Sequence, residues 1–283
     1  MDSHSQMNRN IDAHTVESFG KEWSQFDQRS LNEDELREIS EAYFRLFPWN
    51  ALPRDAVGFD LGCGSGRWDK FVAPRVARLH CIDASAKALD IARRNLREFR
   101  SCEFHCASVD DIPLTDGSMD FGFSLGVLHH VPDTSAAIRS CVAKLKAGAP
   151  FLVYLYYAFD NRPAWYRMLW GFSDLCRKVI SRWPYRLKYL FSQATASFVY
   201  FPCARFSLLL ERLGLSVDVF PLSAYRRRSF YTMRTDALDR LGTPLEKRFT
   251  AKEIQSMMES AGLDRIRFSD SLPYWCALGY KKC

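Results

Sequence analysis

No apolar run in this sequence reaches the roughly 18 residues that a membrane-spanning helix needs. The densest apolar stretch, Ala194–Leu210, is interrupted by Pro202 and Arg205. The first 20 residues are polar and contain no apolar segment of the kind found in signal peptides. These absences predict a cytoplasmic protein without a leader or a transmembrane segment.

Paired cysteine motifs are also absent. The nine cysteines are scattered without a CxxC pair, and no cysteine–histidine group has the spacing of a zinc site. An odd number of scattered cysteines is typical of reduced thiols in the cytoplasm. We therefore expect free thiols, most of them in the core, and no bound metal.

The composition allows a large folded core. Of 283 residues, 47% are hydrophobic and 25% are charged, enough for one large domain or a domain with an extra lobe. The net charge of +6 is well short of a dedicated nucleic-acid binder. It leaves room for an anionic substrate or for contact with a membrane surface.

Short apolar strands alternate with helices along the first half of the chain. Residues 15–47 read as helical after a frayed tail over 1–15. Strands are then predicted over 56–61, 76–82, 102–106, 119–125 and 151–156, with a helix and two more strands after residue 250. This alternation predicts a parallel sheet with helices on both faces, which binds its ligand beyond the carboxyl ends of the strands.

Residues 160–248 break the alternation. They contain 16 Lys and Arg against 7 Asp and Glu, a net charge of +9, interleaved with tryptophan, tyrosine and phenylalanine. The segment is predicted to be a helical insertion. Two interpretations stay open: amphipathic helices packed on the domain with arginines reaching solvent, or a face for an anionic acceptor or membrane.

A glycine-rich turn follows the first predicted strand. Gly62, Gly64 and Gly66 remove side chains where a ligand must approach backbone, just before a helix begins. The G-x-G-x-G spacing and the preceding Asp60 disfavour a dinucleotide pyrophosphate and suit S-adenosylmethionine (SAM), whose amino and sulfonium groups are cationic. Asp83 ends the second strand, 21 residues after Gly62, where a carboxylate can accept hydrogen bonds from ribose hydroxyls.

Four segments together resemble the class I SAM-dependent methyltransferases. VGFDLGCGSGRW resembles motif I of that family and CIDAS resembles its second motif. SVDDIPLTDGSMDFGFSLGVLHHVPD is similar to the segment through the fourth strand, and LKAGAPFLVYLYY to the turn into the fifth. The resemblance covers residues 55–157 closely and 250–283 by pattern. It implies a doubly wound α/β fold with a seven-stranded, mostly parallel, Rossmann-like sheet whose last strand, 274–280, is antiparallel.

The resemblance also implies a SAM site. Asp60, Gly62 and Gly64 would surround the methionine part of SAM, and Asp83 would hold the ribose. Ser108 and Val109 would border the adenine, and Leu125 would form the inner wall. Many relatives carry an acid at the position of Ser108, and Asp110 is expected to substitute for it. The predicted cofactor-binding set is completed by Cys63, Ala84 and Trp23. The FGKEW segment resembles one ahead of motif I in some bacterial members, which implies that Phe19 and Trp23 close over SAM; ordinary helix packing of Trp23 is the alternative.

Two further groups are candidates for catalysis and acceptor binding. His129 and His130 follow the fourth strand, where an imidazole could remove the acceptor's proton. A purely structural pair is the alternative. The predicted acceptor-binding residues are Tyr154, Tyr156, Arg226, Arg228 and Tyr231. If Arg226 and Arg228 shared one face of a strand, their paired guanidinium groups would suit a carboxylate or phosphate.

These observations predict four regions and one reaction. The regions are an N-terminal helical cap (1–54), a SAM-binding core (55–157), a helical acceptor-lid insertion (158–248) and a C-terminal helix with the last two strands (249–283). The reaction is SAM-dependent methylation of an oxygen of a small metabolite, with an anionic metabolite left open. Methylation of nitrogen and methylation of a lipid-linked acceptor at a membrane surface are the alternatives. No nucleic-acid partner is expected because the sequence has no catalytic N/D-P-P-Y-like tetrapeptide. Peripheral membrane contact and the oligomeric state stay open.

Overall fold

The computed structural model describes residues 10–28, 31–217 and 219–283. Seven strands form one sheet: β1 Val57–Leu61, β2 Arg78–Asp83, β3 Cys102–Cys106, β4 Phe121–Leu125, β5 Pro150–Tyr154, β6 Leu263–Phe268 and β7 Cys276–Lys281. Their order is β3-β2-β1-β4-β5-β7-β6. The first five strands are parallel, and β7 runs antiparallel to both β5 and β6. The predicted fold class is confirmed.

The helices are α1 Ala13–Gln25, α2 Glu33–Tyr43, α3 Asp69–Val72, α4 Ala86–Asn95, α5 Thr134–Lys144, α6 Ala164–Ile180, α7 Tyr185–Thr195, α8 Phe201–Arg212, α9 Phe230–Gly242 and α10 Ala251–Ser260. A π-helical turn, Ala196–Tyr200, joins α7 to α8. The chain divides into two compact units. The first contains the residues up to Ser24, Glu38–Ala158 and Leu245–Cys283, and thus the whole sheet. The second contains Gln25–Arg37 and Phe159–Pro244, and thus α6–α9.

The core of the first unit lies around the central strands. Phe59, Phe121 and Phe123 have no exposed surface, as expected for parallel strands covered by helices on both faces. Gly58 pairs with Phe121, and a Cβ on Gly58 would lie 2.3 Å from that ring. Gly122 gives the same space to Phe59. Each glycine therefore accommodates a phenylalanine on the neighbouring strand, which packs β1 closely against β4.

The N-terminal region differs from its prediction. The expected frayed tail is wrong for residues 10–15, because α1 begins at Ala13 and the Asp12 carboxylate caps it by accepting from the Thr15 N–H at 2.7 Å. The expected helix over 15–47 is interrupted between α1 and α2, where Asn32 accepts from the Asp34 N–H at 2.7 Å. These capping side chains offer the backbone a local alternative to a continuous helix. Residues 1–9 of the predicted tail lie outside the described residues.

Strand boundaries shift by one or two residues. Strand β5 ends at Tyr154 and not at Tyr156. Tyr156 therefore lies in the connection that follows the strand. Helix α10 begins with a reciprocal capping box formed by Thr250 and Glu253.

Candidate functional site

The glycine turn connects β1 to α3 through a backbone that only glycine adopts readily. Gly62 and Gly64 have φ angles of +84° and +56°. A Cβ on Gly62 would lie 2.4 Å from Val127 Cγ2. The Gly62 N–H donates to the Ile82 carbonyl at 2.7 Å, which ties the turn to the end of β2. At these two glycines the turn therefore presents bare backbone at the carboxyl edge of the sheet.

Asp83 fixes this turn from the neighbouring strand. Its Oδ2 accepts from the Gly64 N–H at 2.9 Å and its Oδ1 accepts from the Ser85 N–H at 2.7 Å. Burial raises the pKa of Asp83, and the two backbone hydrogen bonds oppose that rise. Each carboxylate oxygen keeps capacity for a further hydrogen bond. The geometry suits a carboxylate that organises the loop and accepts from a ligand hydroxyl.

A cavity opens at the carboxyl ends of β1 and β4. Nine of the predicted cofactor-binding residues line it: Trp23, Gly62, Cys63, Gly64, Asp83, Ala84, Ser108, Val109 and Leu125. Asp110 lines an adjoining groove together with Ser108 and Ala84. Residues distant in sequence therefore meet around one space, and their individual roles in binding stay predictions.

Helix α1 lines the same cavity. A Cβ on Gly64 would lie 3.0 Å from Nε1 of the Trp23 indole, so the indole packs against the turn. The Phe19 ring is 5.0 Å from the His130 ring. Asn10 holds the start of this segment in place, exchanging two hydrogen bonds of 2.6 Å with the backbone of Asp133. Trp23 thus lies against the glycine turn and Phe19 against His130, and their closure over SAM stays a prediction.

Several cavity residues were missed in the sequence. Asn10, Ile11, Asp12, Thr15 and Val16 all line the cavity, although this segment reads as a polar tail. The signal that identifies them is Asp12 as a helix cap, followed by apolar residues at helical spacing, Val16, Phe19 and Trp23.

Asp60 is the member of the predicted cofactor set that lines neither the cavity nor the groove. It is 1% exposed, and neither of its carboxylate oxygens has a hydrogen-bond partner among the described residues. Burial raises its pKa well above the usual value, and the neighbouring Asp69 adds to the rise. Burial also raises the pKa of Asp69 to about 7. A buried carboxyl pair thus lies beside the turn, and Asp69 was not anticipated from the sequence.

The two adjacent histidines occupy different environments. His129 has no exposed surface, stacks on Tyr156 at 3.8 Å between ring centroids, and has no hydrogen-bond partner for either ring nitrogen among the described residues. Burial lowers its pKa well below the usual value. His129 is therefore a neutral packing residue in this structure, outside the cavity lining.

His130, by contrast, lines the cavity. Its Nδ1 lies 2.6 Å from the carbonyl oxygen of Leu245. Because a carbonyl only accepts, Nδ1 carries the proton and Nε2 is the basic nitrogen of the neutral ring. Its Nε2 is buried, and the catalytic role of both histidines stays a prediction.

Tyr154 and Tyr156 lie near the cavity but are not part of its lining. Burial raises the pKa of the Tyr154 phenol well above its usual value, so it is a neutral hydroxyl. Its ring would be 4.0 Å from a Cβ on Gly126, which does line the cavity. Tyr156 packs between His129 and the Arg248 guanidinium, which is 5.0 Å from the tyrosine ring.

The three acceptor candidates of the insertion have partners within the second unit. Arg226 donates from Nε and Nη2 to Glu211 Oε1 at 3.0 and 2.9 Å, and Arg227 donates to the other oxygen of Glu211. The Tyr231 hydroxyl accepts from the Gln28 N–H at 3.1 Å. Arg228 lies in the same turn, where Arg205 donates to its carbonyl at 3.3 Å.

The segment from Arg226 to Arg228 forms a turn and not a strand, so Arg226 shares its carboxylate with Arg227 and not with Arg228. The strand arrangement in which Arg226 and Arg228 would share one face therefore does not occur. The acceptor role of Arg226, Arg228 and Tyr231 stays a prediction.

Membrane-spanning helices were not expected from the sequence. Among the helices of residues 10–28, 31–217 and 219–283, none combines the length and apolar character needed to cross a bilayer.

Comparison with known proteins agrees with the motifs. Residues 59–153 match a family model described as a methyltransferase domain. Ubiquinone biosynthesis O-methyltransferase of Aromatoleum aromaticum is 27% identical over 144 residues, covering 50% of this chain and 62% of that protein. The protein of the same name from Thiobacillus denitrificans is 27% identical over 157 residues, covering 55% and 66%. The chain thus spans less than two thirds of these relatives.

Solved structures share the fold. A chain in the complex of the Haloferax volcanii Trm112 methyltransferase activator with a methyltransferase superposes with a TM-score of 0.52 at 14% identity, covering 94% of this chain and 98% of that chain. A SAM-dependent methyltransferase from Aquifex aeolicus superposes with a TM-score of 0.51 at 12% identity, covering 92% and 96%. At this identity the similarity establishes the architecture.

Proposed function

We propose, from the premise that the chain contains a class I SAM-dependent methyltransferase domain, that it transfers the methyl group of SAM to an oxygen of a small-molecule acceptor. The main support for this proposal is the cavity that the glycine turn, Asp83 and α1 form at the carboxyl edge of the sheet. The O-methyltransferase names of the sequence relatives favour oxygen. A nitrogen acceptor is the alternative.

The described residues fit SAM. A Cβ at Gly62 or Gly64 would press on Val127 or Trp23, which line the same cavity, so glycine at these positions keeps that lining in place. Asp83 would hold the ribose hydroxyls, and Ser108 and Val109 would border the adenine. SAM supplies a methyl group on a sulfonium, which an acceptor oxygen can attack directly. The protein's part is then to position the acceptor and to remove its proton.

His130 is the base in this proposal. Its Nε2 accepts the proton of the acceptor hydroxyl, and its Nδ1–H remains bonded to the Leu245 carbonyl. That carbonyl also stabilises the imidazolium that forms, because a charged donor strengthens the hydrogen bond. His129 contributes packing through its stack on Tyr156.

The test compares His130→Gln with the control His129→Phe, which keeps an aromatic ring on Tyr156. We expect His130→Gln to lower turnover about 10²-fold, the usual scale of acid–base assistance, with the SAM dissociation constant unchanged. His129→Phe should retain turnover. Formation of S-adenosylhomocysteine with a dihydroxybenzoate panel gives turnover, and calorimetry gives SAM affinity. Full turnover in His130→Gln would show that the pair is structural, and absence of SAM binding by the wild type would overturn the proposed function.

A lipid-linked acceptor at a membrane surface is the second candidate. Helices α6 and α7, with the π-helical turn after them, point large apolar side chains outward: Phe172 is 67% exposed and Phe198 is 81% exposed. The same helices bury cations, with Arg177 at 3% and Lys188 at 8% exposure. This arrangement is the reverse of a normal surface helix.

The buried cations have partners at the end of α9. Arg177 Nη1 donates to the Thr243 carbonyl at 2.9 Å, and Lys188 Nζ donates to the Gly242 carbonyl at 3.0 Å. Positive charge at a helix C-terminus is favourable, so the outward-facing apolar surface has a stable polar support. Exposed Lys178, Arg182 and Arg186 lie among the apolar residues. Such a mixture suits anionic lipid, whereas it would repel the same surface of a second copy.

Vesicle cosedimentation tests this second candidate. We expect binding to phosphatidylglycerol vesicles and much weaker binding to phosphatidylcholine vesicles, with loss of binding in Phe172→Ser/Phe198→Ser. Leu272→Ser, which alters an exposed leucine of the first unit, is the control. Concentration-dependent dimerisation without vesicle binding would instead assign the surface to a second copy and refute the membrane candidate.

A further inference from the structure

Three side chains of metal-ligand type meet on the outer strands of the sheet. His80 lies on β2 directly opposite Glu103 on β3, and His105 follows two residues later on β3. Because side chains alternate along a strand, these three residues project from the same face. We propose that His80, Glu103 and His105 bind a divalent transition-metal ion, with Zn²⁺ as the reference ion.

The distances match a coordination sphere. His80 Nδ1 lies 3.0 Å from His105 Nε2 and 3.4 Å from Glu103 Oε2. All three candidate ligand atoms lie within 4.8 Å of one another. With zinc–nitrogen bonds of about 2.0–2.1 Å, neighbouring ligands of a tetrahedral ion stand about 3.3 Å apart. Two edges of the coordination sphere are thus already formed, and rotation of the Glu103 carboxylate closes the third.

The surroundings favour metal binding by these groups. Arg78 Nε lies 3.1 Å from Glu103 Oε1, which orients the carboxylate and leaves Oε2 directed at His80. His80 is 7% exposed, so the inner side of the group is shielded from solvent. The Glu103 side chain is 44% exposed, which gives an ion access and leaves room for a water ligand. Two imidazoles and one carboxylate are the donors that Zn²⁺, Co²⁺ and Ni²⁺ share.

The ion would join the edge strand β3 to β2. Edge strands have one unpaired side, and a metal bridge at this position would hold β3 in register. Beyond their carboxyl ends, the two strands lead into Ala84 and Ser108 of the cavity. The site itself lies outside the cavity lining, so it is separate from the proposed methyl transfer.

Cobalt titration of the full chain tests the proposal, because Co²⁺ replaces Zn²⁺ in such sites and absorbs visible light. We expect one equivalent of Co²⁺ to bind, to be displaced by Zn²⁺, and to show no thiolate charge-transfer band. His105→Gln and Glu103→Gln should each weaken binding at least about tenfold. Both residues are partly exposed, so the variants should fold, and circular dichroism verifies this.

His14→Gln is the matched control, since it removes an exposed histidine of α1 far from these strands in sequence. It should bind Co²⁺ like the wild type. Zn²⁺ should raise the melting temperature of the wild type and of His14→Gln but not of His105→Gln. A thiolate band would place the metal on cysteines, and unchanged affinity in both ligand variants or no binding by the wild type would equally overturn the proposal.

Discussion

Three glycines with left-handed backbone provide a graded test of how the site is built. Gly62, Gly64 and Gly148 have φ angles of +84°, +56° and +77°. A Cβ on Gly148 would meet nothing within 4 Å, one on Gly64 would lie 3.0 Å from Trp23 Nε1, and one on Gly62 would lie 2.4 Å from Val127 Cγ2. Substitution by alanine therefore adds the same backbone strain at each position but a different amount of crowding.

The expected losses follow from these contacts. Left-handed backbone costs a non-glycine residue about 1–2 kcal/mol, which is the whole effect expected for Gly148→Ala. Crowding against the Val127 side chain adds about 1–3 kcal/mol in Gly62→Ala. The loss of stability in Gly64→Ala should lie between the losses in Gly148→Ala and Gly62→Ala. Because its Cβ would shift Trp23 at the cavity lining, we expect Gly64→Ala to weaken SAM binding about tenfold, or about 1.4 kcal/mol.

Urea unfolding measures the stability of the three variants, and calorimetry measures their SAM affinity. Gly148→Ala controls for backbone strain and should bind SAM like the wild type. Trp23→Leu in the Gly64→Ala background should relieve the crowding and recover part of the lost stability. Equal unfolding free energies for Gly62→Ala and Gly148→Ala would refute the crowding argument. Unchanged SAM affinity in both Gly62→Ala and Gly64→Ala would refute the assignment of the turn to the cofactor.

Three further predictions concern single side chains. Asp83→Asn should weaken SAM binding by about 1–3 kcal/mol in calorimetry, because charged hydrogen bonds are lost; an unchanged affinity would exclude Asp83 from the site. Burial raises the pKa of Asp69 from 3.8 to about 7, so between these two pH values the folded protein holds a proton that the unfolded chain releases. The contribution of Asp69 to stability therefore falls as the pH rises from 3.8 to about 7. The difference in unfolding free energy between wild type and Asp69→Asn should change across this window by up to about 1.4 kcal/mol per pH unit, and a flat difference would contradict the raised pKa. Thr250→Ala removes the capping box of α10 and should lower the unfolding free energy by about 1 kcal/mol without altering SAM affinity; a loss of affinity would show that the cap also supports the cavity.

Local sequence determined the architecture of the first unit. The alternation of apolar strands with helices predicts the parallel sheet, and Gly62, Gly64 and Asp83 mark its carboxyl edge. These features are readable because they depend on short-range rules: strand period, helix capping and backbone freedom. The antiparallel last strand came from the family resemblance, and the observed sheet confirms it.

Tertiary structure alone separated the two histidines. Adjacent in sequence and identical in chemistry, they differ because Leu245 supplies a carbonyl to His130 while Tyr156 covers His129. Both partners come from other parts of the chain, so no local pattern distinguishes the two rings. The same applies to Arg226, whose partner Glu211 is 15 residues away on α8.

The three candidate metal-ligand side chains depend on strand register. His80 and Glu103 are separated by a helix and a turn, and only the pairing of β2 with β3 brings their side chains together. Spacing rules for metal sites detect ligands on one local segment, so they predicted no site here. Sequence by itself thus determined the sheet and its glycine turn through local backbone preferences. The electrostatic environment of each functional side chain was decided by which distant residues the fold packs around it, because burial and hydrogen bonding are properties of the folded chain.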